Sequence, residues 1–353
     1  MRYIGSKSAS LPAIEKIIRR AGFHCRSLCD PFAGTCTVAR HFKALGLSVV
    51  TGDILEQSYA LQVAHIELNF SPTFPRIILP SLGADEGNVA PHLRVLSHLS
   101  TLPGVSGFVT REYSMEGRAR RLYFTAANAR RIDRIRKEIE QWDATGKISA
   151  VEKCYLLTCL LEAMDRVSNT AGTYYAYLKK LYRKARQQIC LRPITVNNNK
   201  KKNKANCDQA IRVVERAETD VVYLDPPYNR RNYGAYYHLP ETIVLWDMPK
   251  VMGKCGIRGG VSESPFYHRS TAADALGELI KSAKCKMIVV HYAEEGLIPH
   301  KAILQQLKAR GATHWQTWGV RTYTSEKVEG IQQVARHRIY SCFVPGRALM
   351  TGG

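Results

Sequence analysis

The residues of this 353-residue chain that are best suited to chemistry form one signature, Asp225-Pro226-Pro227-Tyr228. It follows residues 221–224, whose β-branched and aromatic side chains predict a buried parallel strand. The prolines end that strand at its carboxyl end, where open α/β sheets bind ligands. The signature therefore predicts a carboxylate, a rigid backbone carbonyl and an aromatic ring at one sheet edge. The simpler alternative is a proline turn with a solvated Asp225.

A second group of candidate residues lies near the start of the chain. A predicted strand at residues 27–29 leads into Asp30-Pro31-Phe32-Ala33-Gly34-Thr35-Cys36-Thr37, and a helix begins near Thr37. A second strand at residues 48–52 ends in Asp53. This order is typical of a nucleotide-binding βαβ unit, and Asp53 follows Gly34 at about the 20 residues expected for an acid that binds a ribose hydroxyl.

Positive charge is the third signal. The formal net charge of +21 and the pI of about 9.6 indicate a polyanionic partner. Residues 166–207 contain no Asp or Glu, which favours a nucleic-acid face, because a merely solvated surface would mix both signs. The basic residues that follow Arg166 in this stretch are Lys179, Lys180, Arg183, Lys184, Arg186, Arg192, Lys200, Lys201, Lys202 and Lys204.

A second basic cluster covers residues 118–137, and aromatic side chains lie between and beside its arginines. The aromatic residues are Tyr113, Tyr123 and Phe124. Such a mixture suits phosphate contact and base stacking. An equally supported alternative is an amphipathic helix at residues 128–142, with isoleucines facing a core and arginines facing water.

The remaining pattern predicts the elements that position these residues. Helices are predicted at residues 8–20, 55–68, 128–142, 150–165, 238–246 and 299–310, and a further helix is expected to open at Asp208. Strands are predicted at residues 192–196 and 286–291, a polar loop at 197–206, and a closing antiparallel pair at 314–323 and 337–344. Proline and glycine make residues 71–107 irregular, which indicates an insertion. We therefore predict an α/β catalytic domain, residues 1–70 and 190–353, with an inserted, mainly helical recognition region at 71–189.

Composition argues against several classes of protein. A hydrophobic content of 45% supports a folded core. No apolar run follows Met1 as a signal core would, and none approaches transmembrane length, so we expect a cytoplasmic protein with no membrane partner. The ten cysteines contain no Cys-x-x-Cys pair, which favours reduced thiols over disulfides or a zinc site. We expect no metal site.

The two motifs in one basic chain resemble the amino-methylating DNA methyltransferases, which use S-adenosylmethionine as methyl donor. Cofactor motif, long insertion and catalytic motif follow in the order of the Dam-like alpha group of adenine-N6 methyltransferases. Four further segments look like a Dam-like subgroup: residues 3–7, 123–133, 168–174 and 233–241. One departure is Cys36, which stands at the second glycine of the usual Phe-x-Gly-x-Gly loop. The resemblance implies a Rossmann-like methyltransferase sheet, a prokaryotic or phage origin, double-stranded DNA as substrate and a cognate restriction endonuclease as a possible partner.

The resemblance also implies a role for individual residues. The amino group of adenine is a poor nucleophile, and acceptors for its N–H groups stabilise the positive charge that develops on it. Asp225 and the Pro226 carbonyl would be those acceptors, and Tyr228 would stack on an adenine flipped out of the duplex. The implied cofactor-binding residues are Tyr3, Lys7, Asp30, Phe32, Gly34, Asp53, Ile54 and Asp208, the last with a helix N-cap as its alternative role. The DNA-binding residues predicted from the basic stretches and from the segment after the signature are Arg120, Arg121, Lys179, Lys180, Arg183, Lys200, Lys201, Lys202, Arg230 and Tyr233.

Other functions stay open at this point. One alternative is methylation of another amino group, cytosine N4 in DNA or an adenine in RNA. Cytosine-N4 enzymes more often carry Ser at the first signature position, so Asp225 favours adenine. The other alternative is a nucleic-acid-binding protein that has lost catalysis, against which the intact signature, Gly34 and Asp53 argue.

Overall fold

The structure is a computed structural model, and it describes residues 7–79, 89–261, 263–321 and 334–345. Tyr3 therefore lies outside the described residues. The chain divides into two compact units. The first, here called the helical unit, comprises Met1–Ile4, Leu55–Asn198 and Tyr233–Val261. The second, the sheet unit, comprises Gly5–Ile54, Asn199–Asn232 and Ser262–Gly353.

The helices and strands of the described residues are as follows. The helices are α1 (Leu11–Arg19), α2 (Thr37–Ala44), α3 (Glu56–Gln62), α4 (Pro91–Thr101), α5 (Phe108–Tyr113), α6 (Ala126–Ala144), α7 (Ala150–Val167), α8 (Ala210–Arg216), α9 (Tyr233–Tyr236), α10 (His238–Leu245), α11 (Arg269–Ser282) and α12 (His300–Lys308). The strands are β1 (Ser27–Asp30), β2 (Ser48–Thr51), β3 (Val221–Leu224), β4 (Val251–Met252), β5 (Ile257–Arg258), β6 (Met287–Ala293), β7 (Ala312–Arg321) and β8 (Val334–Phe343). Short 3-10 turns lie at Ser8–Ser10, Arg183–Arg186 and Pro265–Tyr267, and a π-helical turn at Val63–Glu67 extends α3.

The sheet unit is built on six strands in the order β2-β1-β3-β6-β8-β7, counted over the described residues. Strands β2, β1, β3 and β6 are mutually parallel, and β8 is antiparallel to both β6 and β7. Strand β3 is buried along its whole length, as its continuous apolar run predicts. Because parallel strands end at the same edge, the residues after β1, β2 and β3 share one edge of the sheet. The predicted α/β, Rossmann-like fold is confirmed.

The helical unit has its own hydrophobic core, to which α6 and α7 contribute most. Ile132, Ile135 and Ile139 recur at helical spacing on α6 and are buried. The same helix buries Arg136, whose guanidinium donates hydrogen bonds to the carbonyls of Ile243 and Val244. These carbonyls belong to the last turn of α10, so the buried charge satisfies acceptors that the helix end leaves open.

Several sequence predictions need correction. Residues 192–196 form no strand among the described residues. Of these, Ile194 is buried whereas Arg192, Pro193 and Thr195 are exposed, and a proline cannot donate to a strand ladder. The sequence did not predict α4, α5, α9, α11 or the β4–β5 hairpin. The predicted division at residues 71–189 lies inside the helical unit and remains a prediction. No helix in the described parts of the chain has the length and apolar character needed to span a bilayer.

Candidate functional site

Three carboxylates follow the carboxyl ends of neighbouring strands in the sheet unit. Asp30 ends β1, Asp53 follows β2 and Asp225 follows β3. The register pairs Cys29 of β1 with Val50 of β2 and with Val222 of β3, so the three strands run side by side to this edge. The structure therefore brings both predicted motifs to one edge of one sheet.

The turn after β1 contains two residues in the left-handed conformation. Gly34 has φ 50°, and Cys36 has φ 62° with ψ 24°. Glycine adopts this region without penalty, whereas a side chain raises its cost. Cys36 nevertheless holds it, fully buried, so the turn forms with cysteine at the family's second glycine position. Burial raises the pKa of the Cys36 thiol well above its usual value, which keeps the side chain neutral inside the turn.

Asp53 joins this turn to the end of β2. Its Oδ2 accepts a hydrogen bond of 3.0 Å from the Gly34 backbone N–H. Its backbone carbonyl accepts from the N–H of Asp208 at 3.0 Å. The carboxylate of Asp208 accepts from the backbone N–H of Gln209 at 2.8 Å and pairs with Arg216 at 3.1 Å, just before α8. Asp53 is therefore fixed at the turn, and the Asp208 carboxylate is engaged at the start of a helix.

Two apolar residues, Phe32 and Ile54, lie close in sequence to Asp30 and Asp53. Phe32 is half-buried, and its ring meets that of Phe266 edge to face, with centroids 5.2 Å apart. Ile54, directly after Asp53, is also half-buried. Both residues thus retain exposed surface close to the ends of β1 and β2.

Asp225 forms a close ion pair with Lys7, whose Nζ lies 2.7 Å from its Oδ2. The Lys7 side chain is 6% exposed and that of Asp225 is 16% exposed. Burial raises the pKa of Asp225 above its usual value, and the Lys7 charge acts in the opposite direction. Burial, reinforced by the nearby Asp225 charge, also raises the pKa of Asp30 to about 8. The Lys7 charge therefore favours the charged form of Asp225 against the effect of burial, whereas burial favours the protonated form of Asp30.

The Tyr228 ring is held on several sides. His337 meets it edge to face, with centroids 5.5 Å apart, and Tyr292 does so at 6.3 Å. Lys7 Nζ lies 5.7 Å from the ring centroid. The Tyr228 carbonyl accepts a hydrogen bond of 3.0 Å from the N–H of Leu297. Sequence reasoning did not find His337, because it lies in a different strand and follows no recognisable motif.

Most of the predicted DNA contacts are exposed in their own unit. In the sheet unit these are Lys200, Lys201, Lys202 and Arg230. In the helical unit they are Arg120, Lys179, Lys180 and Arg183. Tyr233 is half-buried, and its ring stacks near that of Tyr237, with centroids 6.4 Å apart.

Two buried amides hold the backbone of the basic segment in the helical unit. Asn128 bonds to the backbone of residues 185, 187 and 189, and Asn169 to that of residues 178 and 182.

The environment of Arg121 corrects its assignment as a DNA contact. Its side chain is buried, and its guanidinium donates to the Glu112 carboxylate at 2.8 Å and to the carbonyls of Gly253 and Lys254. Because the Arg121 guanidinium forms these hydrogen bonds within the helical unit, we assign it a structural role. The aromatic residues beside it, Tyr123 among them, are core side chains and not a stacking surface.

Comparison with known proteins gives one family. The family model for D12 class N6 adenine-specific DNA methyltransferases matches residues 3–298. The chain is 36% identical over 313 residues to the Type II methyltransferase M.FokI of Planomicrobium okeanokoites, covering 88% of this chain and 47% of that protein. It is 31% identical to the modification methylase StsI of Streptococcus sanguinis over 339 residues, which cover 95% of this chain and 50% of the relative.

A third relative is matched over most of its length. The Type II methyltransferase M.NlaIII of Neisseria lactamica is 33% identical over 304 residues, which cover 84% of this chain and 85% of that protein. The chain thus spans about half the length of M.FokI and StsI. Together with the motifs at the sheet edge, these matches confirm the resemblance stated above: the chain belongs to the D12 class of N6 adenine-specific DNA methyltransferases.

Proposed function

We propose that this protein transfers a methyl group from S-adenosylmethionine to N6 of an adenine at a specific site in double-stranded DNA. The observation that carries the proposal is the Asp225 carboxylate at the carboxyl end of β3, paired with Lys7 at 2.7 Å. A charged carboxylate accepts hydrogen bonds, and Lys7 favours that charged form against the effect of burial.

Asp225 and Pro226 account for activation of the amino group. A carboxylate oxygen of Asp225 and the carbonyl of Pro226 would accept the two N6 hydrogens of adenine. Acceptors placed before the reaction favour the positive charge that develops on this nitrogen as it attacks. Proline restricts the backbone at this point, which helps to hold its carbonyl in one direction.

The residues at the neighbouring strand ends fit S-adenosylmethionine. Asp53 supplies a carboxylate for ribose hydroxyls, Phe32 and Ile54 supply apolar surface, and Gly34 allows the main chain to approach closely. The turn from Asp30 to Thr37 contains no Lys or Arg, which suits a cofactor without phosphate groups. When bound, S-adenosylmethionine supplies a methyl group on a positively charged sulfur.

Tyr228 completes the proposed base site. Its ring would stack on an adenine that has left the duplex, because the amino group cannot be reached while the base is paired. Base stacking on an aromatic side chain is worth roughly 1–3 kcal/mol, enough to offset part of the cost of unstacking the base.

The exposed basic residues are the proposed contacts to the DNA backbone. They are Lys200, Lys201, Lys202 and Arg230 in the sheet unit, and Arg120, Lys179, Lys180 and Arg183 in the helical unit. We assign target recognition to residues 71–189 and catalysis to residues 1–70 and 190–353. By analogy with relatives named Type II methyltransferases and modification methylases, a cognate endonuclease is the proposed partner and the cytoplasm the proposed compartment.

The direct test identifies the product. Duplex DNA is incubated with the purified protein and S-adenosylmethionine, then digested to nucleosides for mass spectrometry and sequenced for modified bases. We expect N6-methyladenine at one recurring sequence, with single-stranded RNA unmodified. N4-methylcytosine, or methylated RNA with unmodified DNA, would contradict the proposal.

A further inference from the structure

Behind Tyr228, three buried polar side chains form a hydrogen-bonded chain across adjacent strands. Tyr223 of β3 bonds through its hydroxyl to Nδ1 of His291 on β6 at 3.1 Å. Nε2 of His291 bonds to Nδ1 of His337 on β8 at 3.2 Å. The exposed fractions are 1% for Tyr223, 0% for His291 and 5% for His337. The hydrogen-bonded chain ends at His337, whose ring forms a T-shaped contact with the Tyr228 ring.

The direction of each hydrogen bond in this Tyr223–His291–His337 chain follows from the buried hydroxyl at its start. Among the described residues, His291 is the hydrogen-bond partner of the buried Tyr223 hydroxyl. A buried hydroxyl that fails to donate costs about 1–3 kcal/mol, so Tyr223 donates to Nδ1 of His291. His291 then carries its proton on Nε2 and donates it to Nδ1 of His337. His337 in turn carries its proton on Nε2.

Both imidazoles are neutral in this arrangement. Burial, with the charge of Lys7 as a second cause, lowers the pKa of His291 well below its usual value and that of His337 to about 4. Burial raises the pKa of Tyr223 well above its usual value, and the Asp225 charge adds to this effect. The hydroxyl therefore keeps the proton that it donates, and the chain has one stable arrangement of protons at neutral pH.

We propose that His337 is a positioning residue for Tyr228 and that Tyr223 and His291 fix the orientation of its ring. The inference rests on the proposed stacking of Tyr228 on the target base. A ring whose aromatic contacts are already set loses less freedom when a base stacks on it, which speeds the reaction without adding a contact to substrate. His337 contacts Tyr228 directly, whereas Tyr223 acts at the far end of the chain.

The test compares two tyrosine variants that each lose one Tyr–His hydrogen bond. Tyr223→Phe removes the bond to His291, and Tyr340→Phe removes a bond of 2.8 Å to Nδ1 of His300 in the same sheet unit. We expect Tyr223→Phe to lower turnover at saturating DNA and cofactor by about three- to tenfold, with cofactor Kd within about twofold of the wild type. We expect Tyr340→Phe to keep turnover within about twofold. Equal turnover loss in the two variants overturns the proposal.

A second readout does not depend on activity. Nitrogen-15 NMR of the histidine side chains reports which ring nitrogen carries the proton. In the wild type, His337 should carry it on Nε2, and Tyr223→Phe should give mixed tautomers at His291 and His337. Unchanged tautomers in Tyr223→Phe overturn the proposal. If the wild-type protein methylates no DNA, the proposed function fails, and the tautomers still decide whether the chain orients His337.

A third comparison covers the case in which Tyr223→Phe does not fold. His337→Phe keeps an aromatic ring beside Tyr228, whereas His337→Ala removes it. We expect a turnover loss of about three- to tenfold in His337→Ala and partial recovery in His337→Phe. Wild-type turnover in His337→Ala overturns the proposal.

Discussion

Replacing Lys7 with Met tests whether the Lys7–Asp225 pair keeps the proposed acceptor charged. The change removes the positive charge and keeps most of the side-chain length. Asp225 is then left buried without this cation, and burial, which already raises its pKa, acts unopposed by Lys7. A larger fraction of molecules carries a protonated Asp225 at neutral pH. A protonated carboxyl is a poorer acceptor, so turnover should fall.

The size of the effect follows from the geometry of the pair. A charge-assisted hydrogen bond at 2.7 Å between two side chains that are 6% and 16% exposed belongs to the stronger class of such bonds. Such bonds contribute about 1.5–3 kcal/mol, which is roughly a 10- to 100-fold change in the proton-binding equilibrium of the carboxylate. We therefore expect the acid limb of the turnover profile to move to higher pH by about one to two units. On that limb turnover should fall by up to about 10- to 100-fold and recover as the pH is raised, because deprotonation restores the charged form.

The assay is turnover against pH at saturating DNA and cofactor, together with thermal unfolding of the same samples. Lys7→Arg, which keeps the charge, is the control and should stay close to wild type in its pH profile. In Lys7→Met the pKa of Asp225 in the folded protein should exceed its value in the unfolded protein by a larger margin than in the wild type. Protonation of Asp225 should therefore stabilise the folded variant more than it stabilises the wild type. The thermal midpoint of this variant, relative to wild type, should therefore rise as the pH falls from 8 towards 5. An unchanged acid limb in Lys7→Met would refute the reasoning.

Three further predictions concern the cofactor, the base and the DNA backbone. Asp53→Ala should raise the S-adenosylmethionine Kd by about tenfold or more in calorimetry, since hydrogen bonds to a charged group contribute about 1.5–3 kcal/mol, and should leave DNA affinity nearly unchanged. An unchanged cofactor Kd would assign Asp53 only to the turn that it closes with Gly34. Tyr228→Phe should cost little turnover and Tyr228→Ala a great deal, because stacking needs the ring and not the hydroxyl; equal losses would exclude the stacking role. Changing Lys200, Lys201, Lys202 and Lys204 to Ala should weaken binding to all DNA sequences alike and flatten the plot of log affinity against log salt by roughly 0.9 for each of these lysines that neutralises a phosphate. An unaltered slope in filter binding would show that this loop does not bind phosphates.

Several elements of the sheet unit could be predicted from short sequence patterns. The strand at Val221–Leu224 and the turn from Asp30 to Thr37 follow from patterns within a few residues, because strand burial and glycine turns are local signals. The parallel order of β1, β2 and β3 then places Asp30, Asp53 and Asp225 at one edge. The helix–strand alternation was therefore enough to predict which motifs meet.

What escaped prediction depends on contacts between distant segments. The pairing of Lys7 with Asp225 and the chain from Tyr223 to His337 arise only when strands from different parts of the sequence align. The sequence does not distinguish Arg121 from its exposed neighbour Arg120. The Arg121 side chain is buried, and its guanidinium donates a hydrogen bond to the distant carbonyl of Gly253. The strand predicted at residues 192–196 fails for the same reason, because a short β-like pattern needs a partner strand that these residues do not find among the described residues.

The most direct test of the central claim is Asp225→Ala, assayed for methyl transfer and cofactor binding on the same preparation. Removing a preorganised group that stabilises developing charge typically lowers turnover by about 100- to 1,000-fold, and Asp225 should lie at or beyond that range. We expect the S-adenosylmethionine Kd and the fold, by calorimetry and circular dichroism, to stay close to wild type. Retention of more than a small fraction of wild-type turnover would contradict the assignment of Asp225 as the essential acceptor.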